Sequence, residues 1–251
     1  MTTFIFGTDF STKFNGLNYY KNHLVYKNST AKLEHLNLLD NQKTYQIVSH
    51  KKNMLLRIHA AQVDQSERKQ VETYISTKYQ EMHKATLSHF SSTLFVGEFQ
   101  HQTQVAIGIE PLKSHQAFLE QYLVQPIEQT LTKMIQRDVA REKIIEIGNL
   151  ASQNMEYAKM MVAFLVFYLT LAEVEWAVCT GTIAVRYVLQ QMGLHFHVLE
   201  KANPEVLGEA QKQWGNYYQQ KPLVLAINVA DALTVTQQHY DFKVNHSAIS
   251  G

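Results

Sequence analysis

Between residues 141 and 200 the chain alternates short apolar runs with helical patterns, and that alternation limits the possible folds more than any other feature of the sequence. Ile144, Ile145, Glu146, Ile147, Gly148, Asn149, Leu150, Ala151 and Ser152 read as a buried strand ending in a polar corner. A very apolar helix is predicted over about 157–172, a second buried strand over 174–180, a helix over 182–192 stopped by Gly193, and a third strand over 196–199. Strand, helix, strand, helix, strand at these lengths implies right-handed crossovers and a sheet covered by helices. The expected class is therefore α/β, a mixed central sheet with helices on both faces.

The flanking sequence supplies the antiparallel part. Residues 93–99 and 104–109 are two strand runs around a polar turn at 100–103, a hairpin pattern. A strand over 54–59 opens the core, and Ser66 suits the cap of a helix whose apolar residues Val71, Tyr74, Ile75, Tyr79 and Met82 recur at three and four. Pro126 suits a first helical position, with Ile127, Leu131, Met134 and Ile135 facing inward and Glu128 near the positive helix end. The expected organisation is a β-rich extension over 1–53, with strand-like pieces at 19–20, 23–26 and 45–48, then a core domain over 54–233 and a peripheral polar tail over 234–251.

Charge and composition exclude several functions. With 23 basic and 22 acidic residues the net charge is +1, so no global field recruits nucleic acid or an anionic membrane. The single cysteine, Cys179, lies in an apolar strand and reads as a small buried hydrophobe; one cysteine forms no intramolecular disulfide, which fits a reducing compartment. The first residues show neither a basic leader nor a long apolar run, so a cytoplasmic location is expected. Residues 160–172 are thirteen uncharged positions, short of the roughly 20 a spanning helix needs, and read as a core helix. His195 and His197 share a strand face without further ligands, which makes no metal site. Walker, dinucleotide-binding and nucleophile-elbow signatures are absent, and no permanently bound cofactor is expected.

Candidate chemistry gathers at the strand ends. Glu146 and Asn149 are three apart, so in a regular strand they point to opposite faces; a bulge at Gly148 shifts the phase and brings both into one crevice. A carboxylate in an apolar strand is costly unless functional or satisfied, here by Arg141, Arg57 or backbone amides. Thr180, Gly181 and Thr182 form the next strand-to-helix corner, where free amides attract anionic or carbonyl groups and Thr182 equally serves as a plain N-cap. Trp214, Gly215, Asn216, Tyr217 and Tyr218 are an aromatic cluster that either walls a pocket or plugs a sheet edge.

Taken in order, Phe118-Leu119-Glu120-Gln121-Tyr122-Leu123, Pro126-Ile127-Glu128, Arg141 with Glu146-Ile147-Gly148-Asn149-Leu150-Ala151-Ser152, and Trp214-Gly215-Asn216-Tyr217-Tyr218 with Pro222 resemble the bacterial thermostable hemolysin family over about residues 57–229. The order of elements is also similar to the GNAT acyltransferases and, within that fold, the acyl-homoserine-lactone synthases. That resemblance implies an acyl carrier lying where two parallel strands splay, near Asn149 and Thr180. It also implies an acyl thioester as co-substrate, from acyl carrier protein or coenzyme A, and a small amine acceptor. Glu146, Asn149 and Glu120 would then be the catalytic candidates, with Tyr122, Glu128, Arg141, Ser152, Thr180, Thr182, Trp214, Tyr217 and Tyr218 lining the substrate site. Two departures stand out. The corner Ser152-Gln153-Asn154-Met155-Glu156 has no glycine to cradle a pyrophosphate, which favours acyl carrier protein, another donor or a lost activity, and Glu110 stands where a basic residue is expected.

Three functions are compatible with these residues. One is an acyltransferase, with Glu146 as base and backbone amides near Asn149 holding the oxyanion. Another is a membrane-active cytolysin using the 160–172 helix or the aromatic extension. A third is a noncatalytic binding module on the same scaffold.

Overall fold

The computed structural model describes residues 3–4, 43–113 and 116–246. Among them, ten strands form one mixed sheet. In chain order these are β1 (Thr3–Phe4), β2 (Lys43–Ser49), β3 (Met54–Gln62), β4 (Thr93–Phe99), β5 (Gln102–Pro111), β6 (Ile144–Ser152), β7 (Trp176–Gly181), β8 (His197–Lys201), β9 (Leu223–Asn228) and β10 (Tyr240–His246). Five α-helices accompany them: α1 (Arg68–His83), α2 (Ile127–Ile135), α3 (Met155–Leu171), α4 (Ile183–Gln191) and α5 (Val229–Thr236). The spatial order is β10-β2-β3-β4-β5-β6-β7-β9-β8.

The expected α/β class with a mixed sheet is what the chain adopts. β4 and β5 form the predicted hairpin, closed more tightly than expected by Gln100 and His101, both at positive φ, with Phe99 paired to Gln102. β6 and β7 run parallel, joined by α3. Asn154 accepts a hydrogen bond from the Tyr157 amide at 3.0 Å and starts α3. α3 is apolar all round because it is covered all round. Met160, Met161, Phe164, Leu165, Tyr168 and Leu169 are at most 3% exposed and pack against the sheet, α4 and α5.

Three expectations are corrected. α1 begins at Arg68 after Glu67, with no side-chain cap, so Ser66 does not cap it. Pro126 precedes α2 in extended conformation and is its N-cap. β10, from the segment expected to be a peripheral tail, pairs antiparallel with β2, from the segment expected to be an extension, and both are strands of the central sheet. Phe242 stacks on Tyr45 and Phe167, apolar contacts strong enough to hold a polar-looking tail. The strand-like pieces at 19–20 and 23–26 lie outside the described residues.

The sheet's two faces bury different clusters. α3, α4 and α5 cover one, over Ile107, Ile145, Leu150, Ala177 and Ile227. On the other, α1 covers Ala106 and Ala151, while α2, a 3-10 turn at Phe118–Tyr122 and the segments around 204–220 cover Ile144, Val178 and Ala226. One relationship sets up the site. β6 and β7 are paired only as far as Ile147 and Cys179, after which the strands part. Further along, β1 pairs in parallel with Ala151 and Ser152 on the edge of β6 that β7 has left.

Candidate functional site

Where β6 leaves β7 it also carries a bulge. Ala106 pairs with Ala151 and Gly108 with Gly148, so three steps on β6 oppose two on β5. The left-handed residue is Asn149, at φ 52, and not Gly148. Asparagine is one of the few residues besides glycine that visits this region, and here its side chain is held by Ser91. The phase shift has the expected consequence. Ile145, Ile147 and Leu150 join the cluster beneath α3, whereas Glu146 and Asn149 both present to the opposite face.

Glu146 accepts two backbone hydrogen bonds, from Phe118 at 2.7 Å and Leu119 at 3.0 Å. Of the partners considered from sequence, backbone amides hold it, while Arg141 is engaged elsewhere. Burial pushes the Glu146 carboxyl up to about 7, against the pull of these amides and with help from the charges of Glu110 and Glu120. Glu110 is its cross-strand partner and is itself fixed by the Ser92 amide at 2.6 Å.

Glu120 sits one turn away in a different role. It is 7% exposed, and both its oxygens are taken: Oε1 by the Ile127 amide and Arg141, Oε2 by the Ala117 amide and Arg141, all within 2.8 Å. Burial raises its pKa, but the Arg141 hydrogen bonds, the two amides and the guanidinium charge outweigh it and hold the carboxyl below its usual range. Arg141 also donates to Glu128 and to the Leu112 carbonyl. Glu120, Glu128 and Arg141, expected among the catalytic and binding residues, thus form a clamp. Its effect is to fix the Phe118–Tyr122 turn whose amides hold Glu146.

The aromatic cluster closes the same side. The Phe118 ring lies 5.7 Å from Trp214, which is 5.5 Å from Tyr217 and 6.3 Å from Tyr218. The Tyr122 and Tyr218 hydroxyls are 2.5 Å apart. Tyr217 is fully buried and donates to the Thr180 carbonyl at 3.3 Å. Tyr122, Tyr218, Trp214 and Phe118 therefore wall the Glu146 face, with Tyr217 as their buried anchor. Two other candidates are not brought to it. The fully buried Ser152 donates to the Asn154 carbonyl at 2.8 Å, which closes the turn into α3. Thr182, 1% exposed, accepts from the Val185 amide and is the plain N-cap of α4.

On the α3 face an apolar cavity of about 70 Å³ reaches the point where the strands part. Gly148 and Thr180 form part of its wall, together with Leu165, Val166, Leu189 and Ile227. Cys179 also lines it, and burial pushes its thiol up to about 12, so it is inert there. Among the described residues no group of three His, Cys, Asp or Glu side chains is arranged to hold a metal ion. Among them, too, no helix is long and apolar enough to cross a membrane.

Sequence reading missed Ser91 and Ser92, which reach the site from the loop between α1 and β4, and Arg68, the first residue of α1. A signal was present: Gly108 and Gly148 are paired glycines in apolar strands, a mark of close approach by another group.

The family model for thermostable hemolysin matches residues 61–233. The chain belongs to the thermostable hemolysin family. Its fold is shared with solved structures of low identity. The AHL synthase LasI superposes with a TM-score of 0.52 at 11% identity, covering 76% of this chain and 96% of that one. FeeM, an N-acyl amino acid synthase from uncultured soil microbes, gives 0.50 at 11%, covering 70% and 93%. No curated protein matches the chain by sequence. The fold is thus the one that LasI and FeeM adopt.

Proposed function

We propose that the protein is an acyltransferase that moves an acyl group from a thioester, carried by acyl carrier protein or coenzyme A, to a small amine. The observation that carries this reading is the strand opening beyond Ile147 and Cys179, with an apolar cavity on one face and Glu146 under an aromatic wall on the other. An acyl chain in the cavity brings its thioester carbonyl to the opening, and an amine on the far face approaches that carbon. The fold supports this reading: proteins sharing it include synthases named for an acyl-homoserine lactone and an N-acyl amino acid.

Glu146 is the base. An amine arrives largely as ammonium, and a carboxylate with a pKa of about 7 is suited to take its proton near neutral pH. The amine nitrogen then bonds to the carbonyl carbon, the tetrahedral intermediate collapses, the carbon–sulfur bond breaks, and the surplus proton on that nitrogen passes to the sulfur, which leaves as the thiol. The helix start after β6 favours acyl carrier protein as donor, because Asn154 caps α3 with its own side chain and no glycine loop cradles a pyrophosphate. A cytoplasmic location goes with such donors.

The test is thiol release by purified protein from acyl–acyl carrier protein and acyl-coenzyme A across a panel of amines. Wild-type turnover that falls at least about a hundredfold in Glu146→Gln supports the reading. Folded wild-type protein that releases no thiol leaves the scaffold as a binding module. Vesicle lysis without thiol release points to the cytolysin.

A further inference from the structure

Ser91 occupies a gap in the sheet face that Gly108 leaves open. A Cβ on Gly108 would come within 2.5 Å of Ser91 Oγ and 2.9 Å of Asn149 Oδ1, so only glycine admits this contact. Ser91 is 8% exposed and directs both its donors at one atom: its backbone amide lies 2.9 Å and its hydroxyl 3.0 Å from Asn149 Oδ1. A backbone N–H can only donate, so the atom it meets is the amide oxygen, and the orientation of the Asn149 side chain is fixed. Nδ2 then has no hydrogen-bond partner among the described residues and is not buried.

The next residue ties this contact to Glu146. The Ser92 amide holds Glu110, which stands opposite Glu146, so consecutive serines grip one polar neighbour of Glu146 along its own strand and another across the sheet. The buried Arg68 braces the pair, donating to the carbonyls of Ser91 at 2.7 Å and of Ser92 and Ala61 at 3.1 Å.

We infer that Ser91 is a positioning residue for acyl transfer: it turns the Asn149 amide so that Nδ2 is the donor to the thioester carbonyl oxygen at the strand opening. This rests on the acyltransferase reading above. As the amine adds to the carbonyl carbon, charge gathers on that oxygen, and an oriented donor there stabilises the transition state more than the ground state.

Asn149→Asp separates this role from a structural one. The aspartate keeps an acceptor for both Ser91 donors and tolerates the left-handed backbone, but it replaces the Nδ2 donor with an acceptor. At the plateau of the pH profile, kcat should fall about a hundredfold to a thousandfold with KM for the thioester nearly unchanged. Ser91→Ala keeps Nδ2 and removes one of the two restraints, and kcat should fall roughly tenfold, again with little change in KM. Glu146→Gln is assayed beside them. Loss of activity in Glu146→Gln with a wild-type plateau kcat in Asn149→Asp overturns the inference and leaves the acyltransferase reading standing. A folded wild type that consumes no thioester overturns both.

Discussion

Glu110 on β5 stands directly opposite Glu146 on β6, which sets two carboxylates on one face of the sheet, roughly 4.5–5.5 Å apart at their Cβ atoms for such a pair. The two are not equivalent. Burial dominates at Glu146 and, with the charges of Glu110 and Glu120 adding to it, lifts its pKa to about 7. Glu110→Gln should therefore lower the Glu146 pKa. Because glutamine still offers an oxygen to the Ser92 amide, the fold should hold. The acid limb of kcat/KM against pH should move down by a few tenths to about one pH unit; a limb that stays put shows that Glu146 does not carry it.

Glu146→Gln should leave the protein folded. No cation is stranded, because the partners are the Phe118 and Leu119 amides, and one of them then faces an amide nitrogen at a cost of about 1–3 kcal/mol. The same substitution should flatten stability against pH. A carboxyl raised from 4.5 to about 7 on folding favours the folded state below pH 4.5, and this contribution, about 3 kcal/mol, is lost as the pH rises through about 7. Urea melts of both proteins at pH 4.5 and 8 measure the difference. Equal pH dependence in the two proteins means that Glu146 titrates normally.

Arg141→Met should be far more damaging. It leaves Glu120 buried without its cation, and a broken buried pair costs about 3–5 kcal/mol. Glu120 is held below its usual range, so the wild-type pair contributes above the unfolded carboxyl pKa and fades as the pH falls. Denaturant titration should show the variant much weaker at pH 7 and the gap narrowing in acid; a loss below about 1 kcal/mol means that the pair does not clamp the turn.

Phe164→Asp should abolish folding. The ring is fully buried among Tyr45, Phe95, Tyr168 and Phe242, where a charge finds no partner. Insoluble expression is the expected result. A soluble variant with a cooperative melt that has lost only lipid binding would instead favour the cytolysin.

Val166→Phe should shorten the acyl chains accepted. The side chain lines the cavity between α3 and the sheet, and extra bulk there fills it. Competition between long- and short-chain thioesters should swing toward the short; an unaltered preference means that the chain lies elsewhere.

Hydrophobic periodicity and turn chemistry are local, and they carried the class, the apolar α3, the β4–β5 hairpin and the β6-α3-β7 unit at its heart. Spacing also carried the bulge, since Glu146 and Asn149 share a face only if β6 slips by one residue. The partner of each charge was not local. Arg141 is 21 residues from Glu120, and Ser91 is 58 from Asn149, so only the folded chain reveals that Arg141 clamps Glu120 and leaves Glu146 to backbone amides. The polar tail entered the sheet for the same reason. β10 pairs with β2 along its length while Phe242 stacks on Tyr45 and Phe167, and pairing across such distances is set by tertiary packing, where a short segment's own composition has little weight.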